Sequence, residues 1–186
     1  MSAVRLASRY AKSLLDLSIE KGQLEEVFND MKQVKQVIEA SRELEVMLKN
    51  PIINAEKKQK VVEAIFGKNS NYITKAFLDL MVKKGREPYL WDIAKSFIAL
   101  YNINKNITPV KLTTAVAFDK DFTDNLIAKL KTKTGIQNPQ IKVAVDESLI
   151  GGFVLQYGDT LYDASVSRKL ELLEKNFSKN PFVKAI

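Results

Sequence analysis

The residues best placed to do chemistry lie between Gly151 and Lys175, in "GGFVLQYGDTLYDASVSRKLELLEK". Three glycines, two aspartates, Ser165 and Arg168 crowd the start of a helix there. Such a set has two chemical uses. One is a phosphate cradle, which needs G-x-G-x-x-G or G-x-x-x-x-G-K-[ST] between a strand and a helix. Gly151, Gly152 and Gly158 fit neither spacing, Asp159 would repel a phosphate, and the loop holds no lysine. The other use is acid–base work by Asp159 and Asp163, which requires at least one of them in a pocket with a raised pKa.

A mechanical reading accounts for more of the same residues. Tyr157 to Asp159 separates two alternating apolar runs, where Gly and Asp supply the positive φ of a tight hairpin turn. Gly151-Gly152 marks a bulge or a close backbone approach. Asp163 and Ser165 compete to cap the last helix, and Arg168 is expected to pair with Asp163 or Asp159.

The rest of the chain narrows the chemistry further. Its 186 residues contain no Cys and no His, which removes thiolate nucleophiles, imidazole bases and the commonest metal ligands. With 46% hydrophobic and 27% charged residues, it is a globular composition of one domain or two small ones. No apolar run approaches the roughly 18–20 residues of a membrane span. The net charge of +7 divides into +5 over residues 1–106 and +2 over 107–186, with acids interleaved throughout. A nucleic-acid binder gathers its cations into a patch. Here the densest clusters, "KKQK" (Lys57 to Lys60), "KKGR" (Lys83 to Arg86) and "KLKTK" (Lys129 to Lys133), read as solvated helix faces or helix C-termini. The opening "MSAVRLASRYAKSLLDL" is basic and amphipathic like a mitochondrial presequence. Its pattern continues unbroken through Asp16 and Glu20, so it reads as the first structural helix.

Two halves position these residues. Up to about Tyr101 the apolar period is 3.6. Ala3, Ala7, Tyr10, Ala11, Leu14 and Leu15 form one stripe, ended by Lys21-Gly22. A second helix carries Leu24, Val27, Phe28, Met31, Val34 and Ile38. A third spans Ser41 to Leu48, a fourth Ala55 to Phe66 before Gly67, a fifth Asn71 to Lys84 before Gly85, and a sixth follows Pro88. Six short helices predict an N-terminal six-helix bundle over residues 1–105. The fifth helix, with Tyr72, Ile73, Ala76, Phe77, Leu78, Leu80, Met81 and Val82, is apolar most of the way round. It is either central in the bundle or presents a face to a partner. Ala3, Ala7 and Ala11 leave a shallow strip on the first helix, so the first and fifth helices could frame a groove for an amphipathic segment.

After "NINKNIT" (Asn102 to Thr108), whose composition suggests a hinge, the period changes. Val110, Leu112 and Thr114 alternate as a strand, and Asp119 to Thr134 reads as a helix. "QIKVAVD" alternates again, "GGFVLQYGDTLYD" reads as a hairpin, and Ala164 to Phe177 as a last helix with Val166, Leu170, Leu173 and Phe177 on one seam. The expected fold is α+β, with residues 106–186 forming a small α/β domain of order β-α-β-β-β-α. So small a domain has little core of its own.

The segment "VDESLIGGFVLQYGDTLYDASVSRKLELL" resembles the delta subunit family of bacterial F-type ATP synthases, counterparts of the mitochondrial oligomycin-sensitivity-conferring protein. Val145-Asp146 precedes the aliphatic Leu149; then come Gly151-Gly152, a hydrophobic run, Gln156, Gly158, and Asp163, Ser165, Val166 and Leu170. The opening "ASRYAKSLLDLSIEKG" also resembles that family's start, departing at Ser13 and Ser18, where alanine is commoner. The likeness runs the length of the chain.

The resemblance implies a non-catalytic stator subunit without cofactors, one copy per complex, peripheral on the cytoplasmic face of the bacterial inner membrane. Its N-terminal domain would hold the N-terminal helices of the alpha subunits and its C-terminal domain the distal ends of the b subunits. The catalytic head would thereby be kept from turning with the rotor during proton-driven ATP synthesis. The groove it implies would be lined by Ala7, Tyr10, Ala11, Leu14, Ala76, Phe77 and Leu80, all equally suited to the bundle core. Asp146, Gly151, Gly152, Gly158, Asp163 and Ser165 are then structural. Of the rival readings, the even scatter of charge argues against a nucleic-acid-binding adaptor, a turn and a cap already explain the two aspartates of a small carboxylate enzyme, and a scaffold adaptor leaves the C-terminal motif unexplained.

Overall fold

The computed structural model describes residues 3–67, 70–116 and 138–178. The chain divides into two compact units, residues 1–105 and 106–186. The first contains α1 (Ala3–Glu20), α2 (Leu24–Ala40), α3 (Arg42–Lys49), α4 (Ala55–Phe66), α5 (Tyr72–Lys83) and α6 (Leu90–Asn104).

Local chemistry sets the helix ends. After α1, Gly22 N–H bonds Ile19 O and Gln23 N–H bonds Ser18 O, both at 3.0 Å. After α5, Gly85 bonds Val82 O and Arg86 bonds Met81 O in the same paired pattern, which satisfies carbonyls left over at a helix C-terminus. At the other ends, Ser41 Oγ accepts from Leu44 N–H and Asn71 Oδ1 from Ile73 N–H, capping α3 and α5. Two serines of α1 bond their own helix: Ser13 Oγ donates to Arg9 O at 3.0 Å and the buried Ser18 Oγ to Leu14 O at 2.6 Å.

The core of this unit centres on α6, whose Leu90, Ile93, Ala94 and Phe97 are fully buried and against which α1 and α2 both pack. The buried residues of α1 include Ala7, Ala11 and Leu14, and those of α2 include Val27, Met31 and Val34. The fifth helix packs chiefly against α4. It buries Ile73, Thr74, Phe77, Leu78, Met81 and Val82 and leaves Tyr72, Ala76 and Leu80, four apart, exposed. Between the two readings of that helix, central or presenting a face, it is α6 that holds the centre.

Polar links hold this core in register. Lys58 of α4, 2% exposed, bonds Glu87 Oε1 at 2.7 Å and Leu48 O at 2.9 Å. Asp30 Oδ2 accepts from Asn71 N–H at 2.7 Å. At the end of α6, Tyr101 stacks on Phe28 with centroids 3.8 Å apart and donates to Glu25 Oε2 at 2.6 Å. Lys105 bonds the other oxygen of Glu25 at 2.7 Å. Glu25 thus clamps the last turn before the second unit. Most of the expected hinge segment is regular structure, since α6 runs to Asn104 and the first strand starts at Ile107. Only Lys105 and Asn106 lie between, the latter at φ 53°.

The second unit is built on a four-stranded mixed sheet of order β2-β1-β3-β4, from β1 (Ile107–Thr114), β2 (Asn138–Val145), β3 (Phe153–Tyr157) and β4 (Thr160–Asp163). β1 and β2 are parallel with Leu112 opposite Val143; β1 and β3 are antiparallel with Leu112 opposite Leu155. Val110, Leu112 and Leu155 form its buried core, with Ile141, Phe153 and Tyr157 packed against them. The sequence ends its described part in α7 (Val166–Ser178). A parallel pair requires a crossover connection; the expected helix over 119–134, and with it "KLKTK", lies outside the described residues.

Candidate functional site

At the glycine-rich corner, most of the residues singled out from sequence have a mechanical role. Gly152 has φ +77°, and a Cβ there would stand 2.3 Å from Ala164 O, so only glycine fits. Gly158 has φ +53° in the two-residue turn joining β3 to β4, and Asp159 does not share the positive φ. A Cβ on Gly151 would meet Val166 Cγ2 at 3.1 Å. The contest for the cap is settled by geometry. Ser165 Oγ accepts from Arg168 N–H at 3.1 Å and caps α7, whereas Asp163 Oδ1 accepts from Ser165 N–H at 2.9 Å and holds the turn before it. Asp146 does the same one turn earlier, accepting from Ser148 N–H at 3.0 Å beneath the short turn Glu147–Leu149.

The electrostatics run against acid–base chemistry. Hydrogen bonds from the Ser165 side chain and backbone hold the Asp163 carboxyl below its ordinary range, and the same bonds from Ser148 do so for Asp146. A general acid at neutral pH needs the opposite shift. Arg168 pairs with Glu171 at 2.9 Å, not with Asp163 or Asp159 as expected. Three residues along the helix is the closer partner, and Asp163 feels Arg168 only as its weakest lowering influence. Among the described residues no group of three or more His, Cys, Asp or Glu could hold a metal ion.

The expected groove residues are distributed as follows. Ala7, Ala11 and Leu14 are buried at 1%, 0% and 1% exposure, Phe77 is buried at 9%, Tyr10 is half-buried, and Ala76 and Leu80 are exposed. The small side chains of α1 face inward on a helix that packs against α6. The accessible apolar surface of this unit lies elsewhere as well: Tyr72 and Leu80 on α5 are 59% and 43% exposed, and Val61 and Ile65 on α4 are also exposed.

Two features were not singled out from sequence. One is the Lys58–Glu87 pair, hidden in a "KKQK" run that reads as a solvated face. Its signal was position, since Lys58 lies four residues before Val62 and eight before Phe66, on the buried face of α4. The other is the exposure of the α7 seam, where Leu170, Leu173 and Phe177 are 51%, 50% and 83% accessible. No helix among the described residues is long and apolar enough to cross a membrane.

What the chain offers is therefore capped turns and open apolar faces. Comparison with known proteins is in line with that. The family model of the ATP synthase delta (OSCP) subunit matches residues 6–177. The ATP synthase subunit delta of Christiangramia forsetii is 39% identical over 186 residues, covering 100% of both chains. That of Cytophaga hutchinsonii is 34% identical over 96% of this chain and 97% of its own. In fold, the chain is similar to one in the cryo-EM structure of the Toxoplasma gondii mitochondrial ATP synthase hexamer, with TM-score 0.69, 21% identity, and coverage of 94% of this chain and 98% of that one. With the model spanning nearly all of its length and relatives aligned end to end, this chain belongs to the ATP synthase delta (OSCP) subunit family.

Proposed function

We propose that this chain is the non-catalytic stator joint of an F-type ATP synthase, with residues 1–105 holding the catalytic head and residues 106–186 holding the peripheral stalk. The observation that carries the reading is the end-to-end kinship with delta subunits. The head-side partner is the set of N-terminal helices of the alpha subunits, and the stalk-side partner the C-terminal ends of the b subunits. One copy serves each complex, on the cytoplasmic face of a bacterial inner membrane. The joint resists rotor torque while proton flow drives ATP synthesis. The six-helix bundle and the β-α-β-β-β-α order of the second domain are part of the same proposal.

For the head contact, Ala76 and Leu80 supply accessible surface and Tyr10 a half-buried edge. Phe77 is buried on α5, and Ala7, Ala11 and Leu14 are buried on α1. An amphipathic helix laid on such a strip is held by apolar burial, so its affinity is expected to be insensitive to salt. Calorimetric titration of the full chain with the N-terminal peptide of the same organism's alpha subunit tests this. Saturable one-to-one binding, weakened by Leu80→Glu and unchanged between low and high salt, supports it. Binding that collapses with salt, or is absent at high micromolar peptide, refutes it.

A further inference from the structure

The chain passes from its first unit to its second through two residues, Lys105 and Asn106, between the end of α6 at Asn104 and the start of β1 at Ile107. Lys105 is held twice. Its N–H bonds Tyr101 O at 2.9 Å, which carries the helical pattern one residue past α6. Its Nζ bonds Glu25 Oε1 at 2.7 Å and lies 6.0 Å from the centre of the Tyr101 ring. Tyr101 is held by the same carboxylate. Its hydroxyl donates to Glu25 Oε2 at 2.6 Å, and its ring stacks on Phe28, three residues further along α2. One turn of α2 thus grips both ends of the last turn before the second unit.

The two arms of this grip differ in strength. Tyr101 is buried at 5% exposure, and a buried phenol donating to a carboxylate makes a charge-assisted bond. The side chains of Lys105 and Glu25 are 42% and 61% exposed, so their ion pair is the weaker arm. Hydrogen bonds from Lys105 and then Tyr101 hold the Glu25 carboxyl below its ordinary range, which keeps the shared acceptor charged at neutral pH. Asn106 follows without such a hold. It is exposed, makes no side-chain hydrogen bond, and stands at φ 53°, a region that asparagine tolerates better than most side chains.

We propose that Glu25 is a latch that sets the stiffness of the connection between the two units. It keeps the last turn of α6 wound through Lys105 and so leaves the backbone torsions of Asn106 as the pivot. Released from Glu25, that turn frays, and the free length of the connection grows from one residue to several. Glu25 is therefore a positioning residue. This rests on the reading of the chain as a joint under torque, and goes beyond it in naming the residues that decide how far the joint yields.

The chain has no cysteine of its own, so Gln36→Cys on α2 and Gln156→Cys on β3, both exposed, place one spin label on each unit. Pulsed electron resonance of the full chain reads the spread of label-to-label distances. Amide hydrogen exchange reads the winding of the last turn of α6. In Glu25→Ala the Asn104 and Lys105 amides should exchange roughly five- to tenfold faster, those of Ile93 and Phe97 at the wild-type rate, and the distance distribution should broaden. Lys105→Met removes only the weaker arm, and should speed the same amides by about two- to fivefold with less broadening. Asn106→Gly should broaden the distribution and leave the amides of the last turn unchanged. Urea unfolding followed by Trp91 fluorescence checks that the first unit stays folded in each variant.

Faster exchange in Glu25→Ala with an unchanged distance distribution makes Glu25 a local prop of α6 and overturns the latch. Unchanged exchange in a folded Glu25→Ala overturns it as well. A distribution that Asn106→Gly does not broaden places the pivot elsewhere and overturns that half of the proposal. None of these outcomes touches the stator reading, which stands or falls with the peptide titration and not with the chain alone.

Discussion

The buried Lys58–Glu87 pair makes the sharpest quantitative prediction about the helical unit. The side chains of Lys58 and Glu87 are 2% and 9% exposed, 2.7 Å apart, and Lys58 also closes on Leu48 O at the end of α3. At an effective dielectric of about 20, the attraction at that distance is roughly 6 kcal/mol. Several kcal/mol of desolvation for each ion oppose it, so the intact pair contributes little net stability. Removing one partner is different, because the other keeps its desolvation cost with nothing to offset it. Lys58→Met should therefore cost about 3–5 kcal/mol. It would leave a buried carboxylate of which Oε2 already has no protein hydrogen-bond partner. The double variant Lys58→Met/Glu87→Leu should recover most of that loss, short of about 1 kcal/mol for the orphaned Leu48 carbonyl. Urea unfolding followed by fluorescence of Trp91, the single tryptophan and a residue of α6, reports this unit alone. With m near 2 kcal/mol/M, the Lys58→Met midpoint should fall by roughly 1.5–2.5 M. A loss below about 1 kcal/mol, or a double variant as unstable as the single, would refute the argument that two mutually dependent charges sit in this core.

Other consequences follow at individual residues. Burial, and then the hydrogen bond to Glu25, push the Tyr101 phenol up to about 12. Its contribution to stability is complete below pH 10 and lost as pH rises through about 12. Ultraviolet titration should show one tyrosine silent at pH 11, and Glu25→Gln should bring it down only part of the way because burial remains. Ile150 is a β-branched residue at φ 62° and 68% exposed, so Ile150→Gly should raise stability by about 1 kcal/mol, read as an upward shift in scanning calorimetry. Gly152→Ala should do the reverse, by about 2 kcal/mol or more, because its Cβ would meet Ala164 O at 2.3 Å. Ser165→Ala should cost about 1 kcal/mol through loss of the α7 cap, seen in the same calorimetric scans.

Helix existence and position were legible in the sequence because the 3.6-residue period and the capping residues act locally. The expected span of the fourth helix, Ala55 to Phe66, is the observed α4, and the expected ends of the fifth differ from α5 by one residue each. Pairing was less legible. Apolar periodicity says which face of α1 turns away from water but not what covers it. A strip of alanines four apart admits any close-packing helix, and here Ala7 and Ala11 are buried on the helix that lies against α6. The chemistry of the glycine corner was legible for a related reason. Close approach excludes any side chain at Gly152, and positive φ favours glycine at Gly158, so both declare their geometry directly. The choice between Asp163 and Ser165 as cap depended on a shift of two residues that no local rule resolves.

The last helix shows where periodicity misleads in the other direction. Val166, Leu170, Leu173 and Phe177 repeat as regularly as the buried face of α2, and periodicity alone does not separate the two. What separates them is supply. In the helical unit α1 and α2 both pack against α6, and α4 against α5, so these stripes meet one another. In the second unit the core formed among the described residues comes from the strands, and α7 keeps its apolar seam exposed. An exposed, regularly spaced seam on a small domain is unfavourable for an isolated chain, since it invites association. It is the expected arrangement for a subunit whose working state is an assembly, where a partner completes the burial that the fold omits. A solitary domain of this family would gain solubility by replacing Leu170 and Leu173 with charges. A stator joint keeps them, because the residues that would make it a better monomer would make it a weaker joint.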